Sequence, residues 1–143
     1  MNMVYIFIGD TKMIKWPVTY TDYNGEVVNE EYYFNLNKAE LIQMQFDANG
    51  TYAGFIQRII DDRDYKSLGN EFRKIILEAY GKKSDDGRRF IKNQAMRDEF
   101  EQSEAYATIY YDLLSDENKM TKFIQGVLPA DLREANKNAL MPA

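Results

Sequence analysis

Asn24-Gly25 constrains this chain more than any other pair of residues. Both tolerate the positive φ angles of a type I′ turn, and they stand between two runs with strand character, residues 15–21 and 26–34. The predicted hairpin brings residues 18–22 against residues 27–33. Pro17 places the first strand at a sheet edge or near a strand start, because Pro cannot donate to an interior ladder. A lone two-stranded ribbon is marginal in water, so this one needs helices or another strand to pack on. Residues 3–8 (MVYIFI), closed by Gly9-Asp10, read as that extra strand.

Beyond the hairpin the pattern turns helical. Asn37 and Glu40 have capping-box spacing, which predicts a helix from Lys38 to about Phe46. Residues 47–50 break it, and Thr51 caps a second helix with Tyr52, Phe55, Ile56, Ile59 and Ile60 on one stripe. Asp64 caps a third over residues 65–80, in which Phe72, Ile75, Ile76 and Ala79 share a face. Gly69 inside it costs about 1 kcal/mol relative to Ala, a sign of close packing or local weakness. Gly81 reads as a left-handed helix stop, with Lys82 and Lys83 near the negative end of the helix dipole. Asp86-Gly87 reads as a turn and residues 88–92 as an extended exit.

A short helix follows from Asn93 or Gln94 to Phe100. Another opens at Ser103 with Tyr106, Ile109, Tyr110, Leu113 and Leu114 on one side. Asp116 caps a helix presenting Met120, Phe123, Ile124 and Val127, and Pro129 ends it. Residues 132–140 form a thin further candidate helix that could fray. The expected class is α+β: an N-terminal antiparallel β-hairpin or small sheet, then a bundle of about six short helices. One domain is expected, with residues 1–36 as the β layer, 37–129 as the helical part and 130–143 as a frayed C-terminal tail.

Composition narrows the chemistry. The 143 residues contain no Cys and no His, so thiolate and imidazole catalysis and their metal ligands are excluded. A net charge of −5 argues against a general nucleic-acid binder. Residues 3–8 are too short for a signal-peptide core or a membrane span, and no basic residue precedes them. The expected location is the cytosol.

Gly81-Lys82-Lys83-Ser84 superficially suggests a phosphate loop. Ile76 stands where such a loop needs its first Gly, a second Lys intervenes, and a helix rather than a strand comes first. Asp61, Asp62 and Asp64, or Asp85 and Asp86, offer carboxylates to a hard cation, and the first set would suit a metal-dependent hydrolase. Neither has EF-hand spacing, and acids at helix ends are ordinarily caps and solvated turns. Glu99, Glu101 and Glu104 are more simply an exposed helix boundary than a glycosidase pair. No cofactor and no metal are expected. Lys82, Lys83, Arg88, Arg89 and Lys92 form the densest basic run, a candidate contact for an acidic partner. The adjacent pairs Tyr32-Tyr33 and Tyr110-Tyr111 must turn some rings outward; Tyr32 and Tyr110 are the candidate contacts, since Tyr is enriched at protein interfaces.

Three stretches taken together resemble a known family: TYTDYNGEVVNEEYYFNLNKAELIQM, FRKIILEAYGKKSDDGRRFIKN and FEQSEAYATIYYDLLSDENKMTKFIQGVLP. The resemblance rests on the order and spacing of residues 33–41, of Tyr80-Gly81-Lys82-Lys83-Ser84 with Asp86-Gly87-Arg88-Arg89-Phe90, and of Phe100 with Ser103-Glu104-Ala105-Tyr106. The family is the tail assembly chaperones of long-tailed phages and prophages of Gram-positive bacteria. It implies a non-enzymatic protein in the host cytoplasm that binds the tape-measure protein, assists assembly of the tail-tube protein and is absent from the mature virion. Self-association is compatible with it. The alternatives are a phage-encoded protein that binds a host or defence protein and, from another class, the metal-dependent hydrolase.

Overall fold

Alternating burial along residues 14–21 shows why the first strand forms: Ile14 and Val18 are buried while Lys15, Pro17, Thr19 and Thr21 are exposed. The computed structural model describes residues 13–44 and 65–129. Strand β1 (Ile14–Thr21) pairs antiparallel with β2 (Val27–Phe34), from Ile14 opposite Phe34 to Thr21 opposite Val27. The hairpin is as expected, but its loop is longer. Gly25 donates to the Asp22 carbonyl at 3.0 Å and Asp22 to the Glu26 carbonyl at 2.8 Å, so Tyr23, Asn24 and Gly25 form the loop, with Gly25 at φ 84°. The cause is the Asp22 side chain: its Oδ1 accepts from the N–H groups of Asn24 and Glu26, both at 2.9 Å. Such local Asx bonds compete with the tighter turn.

Helix α1 (Lys38–Gln43) starts at the predicted capping box. Glu40 N–H donates to Asn37 Oδ1 and Asn37 N–H to Glu40 Oε1, each at 2.9 Å. Helix α2 (Tyr65–Ala79) buries Phe72, Ile75 and Ile76 as its spacing requires.

The expectations for Tyr80 and Gly81 are corrected here. Tyr80 leaves the helix and begins strand β3 (Tyr80–Lys83), and Gly81 is a strand residue paired with Tyr33. The positive-φ glycines are Gly25 and Gly87. What position 81 requires is close approach: a Cβ there would lie 2.8 Å from Phe90 Cε2 and 2.9 Å from the Ile91 carbonyl oxygen. Strand β4 (Phe90–Ile91) lies across it, completing a four-stranded sheet in the order β1-β2-β3-β4.

The remaining helices start at side-chain caps. For α3 (Gln94–Glu101), Asn93 Oδ1 accepts from Met96 N–H at 2.9 Å. For α4 (Glu104–Ser115), Ser103 Oγ accepts from Tyr106 N–H at 3.2 Å. For α5 (Glu117–Val127), Asp116 Oδ1 accepts from the N–H groups of Asn118 and Lys119. Five helices lie among the described residues. The expected strand at residues 3–8, the helix from Thr51 and the helix at residues 132–140 fall outside them.

The core sits between the sheet and the helices. Phe34, Phe72, Phe123, Leu36, Ile109 and Leu113 are fully buried, each contributing on the order of 2 kcal/mol of burial. Phe34 meets Phe123 edge-on at 5.1 Å, and Tyr80 stacks on Phe100 at 4.3 Å. Helix α5 seats against β1 because Gly126 has no side chain; a Cβ there would stand 2.9 Å from Ile14 Cβ. The backbone N–H of Leu36 then reaches the Val127 carbonyl at 2.8 Å.

Candidate partner-binding surface

The basic run is built as a rigid turn. Between β3 and β4, Ser84 N–H donates to the Arg89 carbonyl and Gly87 N–H to the Ser84 carbonyl, both at 2.9 Å, with Gly87 at φ 75°. Asp86 Oδ1 accepts from Ser84 Oγ at 2.7 Å and from Arg88 N–H at 2.9 Å. Ser84 Oγ in turn accepts from Arg89 N–H at 3.0 Å. The backbone bond from Arg88, then the hydroxyl bond from Ser84, holds the Asp86 carboxyl below the usual carboxylate range. Its charge is therefore spent on holding the turn.

That turn displays Lys82, Lys83, Arg88 and Arg89, all exposed. None of the four forms an ion pair among the described residues, whereas Lys15, Arg73, Lys92, Arg97 and Lys119 are all paired with carboxylates. Lys83 leans over the Tyr33 ring at 5.1 Å. A cluster of unpaired cations on a pre-shaped turn suits an anionic partner, because little ordering remains to be done on binding.

Lys92 separates from this cluster. Its side chain is only 8 % exposed, and Nζ donates to the carbonyls of Asn35 and Glu78 and to Glu40 Oε2, each at 2.7 Å. Glu78 lies in the last turn of α2, where carbonyls lack helical partners. Lys92 thus ties together α1, α2 and the residue that follows β2, and it offers no free cation to a partner. Burial pushes its ammonium below the usual lysine value, against the opposing pull of Glu40.

Tyr32 and Tyr110 are half-buried. The Tyr32 ring packs against Tyr80 and Phe100, and its hydroxyl donates to Glu30 Oε1 at 2.6 Å. Desolvation first, then that bond to Glu30, raises its pKa. Tyr110 lies beside Tyr106 and crosses α2 where Gly69 leaves room; a Cβ on Gly69 would stand 2.8 Å from the Tyr110 hydroxyl. That accounts for the mid-helix glycine. The outward ring of the pair is Tyr111, 72 % exposed, and among the described residues the other exposed large apolar side chains are Tyr23 and Val27 at the hairpin tip. Spacing could have found Tyr111: with Ile109 and Leu113 inward, position 111 lies on the opposite helix face.

The phosphate-loop reading has no geometric support. Gly81 and Lys82 belong to a strand that turns back into another strand, with no helix N-terminus to receive an anion. Glu101 is held by Arg73, whose Nε donates to Glu101 Oε2 at 2.7 Å. The Asp61, Asp62 and Asp64 cluster lies outside the described residues. Among the described residues no helix is long and apolar enough to cross a membrane.

The pattern of the phage tail assembly chaperone family matches residues 13–141, almost the whole chain. The chain belongs to that family. No curated protein matches it, and no solved structure does. For this tail assembly chaperone the residues carrying the family pattern therefore include the hairpin, the basic turn and the three capped helices that follow. Residues 1–12 precede the matched region.

Proposed function

We propose that the chain is a non-enzymatic chaperone that binds the tape-measure protein of a long-tailed phage and assists assembly of tail-tube subunits around it. It acts in the host cytoplasm and leaves before the virion is complete. The observation that carries this reading is the family match over residues 13–141. The surface supports a binding role: Lys82, Lys83, Arg88 and Arg89 form a rigid cationic contact, and Tyr23 and Val27 stand exposed at a fixed hairpin tip. Repetition of a modest contact along a long partner would supply avidity.

Co-expression with the tape-measure and tube proteins of the same phage tests it. The expected result is soluble tape-measure protein that co-purifies with this chain. If neither protein is retained at low salt, or if host lysate yields a host-encoded partner instead, the reading fails.

A further inference from the structure

The two free edges of the hairpin are unlike. Asp22 N–H donates to the Glu26 carbonyl, which fixes the hydrogen-bonding phase of the hairpin. In an antiparallel ladder bonded pairs alternate with unbonded ones, so Val28, Glu30 and Tyr32 bond to β1 while Val27, Asn29 and Glu31 point their N–H and C=O groups away from it. The bond from Asn35 N–H to the Ala79 carbonyl, on the β3 side, has the same parity. Strand β3 takes up this side of β2 only at Tyr33 and Phe34. From residue 27 to residue 31, no strand among the described residues pairs with it.

By the same alternation, the outward N–H positions of β1 are Lys15, Pro17, Thr19 and Thr21, and Pro17 has no N–H. A proline in the middle blunts that edge against strand addition. The β2 edge carries no such block. Its carboxylates are also spoken for: Glu30 Oε1 accepts from Tyr20 and Tyr32, and Glu31 pairs with Lys15 at 3.8 Å. Strand β3 runs along this side of β2 toward the open stretch, so a strand added there would end against the unpaired cations of the β3–β4 turn.

We propose that the open β2 edge takes up an extended, acidic segment of a protein partner as an added strand, its carboxylates meeting Lys82, Lys83, Arg88 and Arg89. Backbone bonds would give affinity and the cations would give selectivity and orientation. The inference rests on the reading of this chain as a binding protein and names the binding mode.

The test uses the full chain and a synthetic peptide of about eight residues alternating Thr and Glu, a usual strand length. Amide hydrogen exchange should show fast Val27, Asn29 and Glu31 in the free protein and slow exchange with peptide. Asn29→Pro, which removes an outward donor, should weaken binding by about tenfold or more, while Asn29→Ala should leave it unchanged. Arg88→Glu with Arg89→Glu, both on an exposed turn, should weaken it similarly. The proposal is overturned if those amides are slow in the free chain, which would mean that the chain fills its own edge. Slowing that grows with protein concentration overturns it in favour of a second copy. Polyglutamate binding equally well without amide protection leaves only charge attraction, and an oligonucleotide that binds more tightly makes the turn a nucleic-acid contact; either result overturns it. Loss of peptide binding with tape-measure capture intact would sink this inference and leave the chaperone reading standing.

Discussion

Replacing Lys92 with Met tests whether the most buried cation of the basic run is a structural clamp. The substitution keeps an unbranched apolar stem as far as Cε and removes the donor shared by Asn35 O, Glu78 O and Glu40 Oε2, each now 2.7 Å from Nζ. A buried acceptor left unsatisfied costs about 1–3 kcal/mol, and breaking a buried ion pair from one side about 3–5 kcal/mol. The Glu40 side chain is 25 % exposed, so water recovers part of its loss. The expected cost is about 3 kcal/mol, a large share of the ~5–15 kcal/mol that holds a domain of this kind. Urea unfolding followed by circular dichroism measures it. Glu40→Gln supplies the control, because it keeps an oxygen for Asn37 N–H and removes the charge. In that background Lys92→Met should cost about 1 kcal/mol less, the part owed to an unpaired carboxylate. There is also a pH signature. Burial lowers the folded-state pKa of Lys92 below its ordinary 10.5, so between those values the unfolded chain binds more protons. The Lys92 contribution to stability therefore rises with pH through that window and vanishes in the variant. A cost below about 1 kcal/mol, or equal costs in the two backgrounds, would refute the clamp.

Gly81→Ala places a methyl against Phe90 and the Ile91 carbonyl oxygen; a backbone atom cannot swing aside, and a loss of about 2 kcal/mol in urea unfolding is expected. Asp116→Ala removes the acceptor for Asn118 and Lys119 N–H and should cost about 1 kcal/mol, read as a lower Tm. The hydroxyls of Tyr32 and then Tyr20 hold Glu30 below its ordinary pKa. The stabilisation is present above the unfolded value and is lost as pH falls through the folded one, so wild type and Glu30→Gln should converge in stability as pH falls below the ordinary value of 4.5. Tyr111→Ala, on an exposed ring, should leave Tm within about 1 °C of wild type; reduced tape-measure capture by that variant would mark Tyr111 as a contact.

Local chemistry was legible and long-range chemistry was not. Asn37 with Glu40, Ser103 and Asp116 act within three residues of themselves, so spacing alone located the helix starts. The hairpin was legible in Asn24-Gly25 but its register was not: a two-residue turn there would set Tyr23 opposite Glu26, whereas the competing side chain of Asp22 lengthens the loop and sets Thr21 opposite Val27. Tyr80 and Gly81 misled because their state is decided by Phe34 and Tyr33, far away in the chain, rather than by the helix they follow. Lys92 belongs to a charged run in sequence but faces three acceptors from separate segments, which no local pattern encodes. The same holds for the basic turn: its charges were visible, but not that four of them find no ion pair among the described residues.

The seat of Gly126 on Ile14, with the Leu36-to-Val127 bond beside it, joins the two ends of the described chain. Loop closure on this scale precedes its reward. On the ribosome the hairpin emerges before the helices, and Trp16 and Phe34 lack their ring contacts with Phe123, and Ile14 its seat on Gly126, until α5 has been made. The chain therefore passes through a stage in which part of its own sheet needs shielding. Slow translation near residue 127, or a terminus placed before it, should yield insoluble chains even though α1, α3 and α4 each carry a cap of their own.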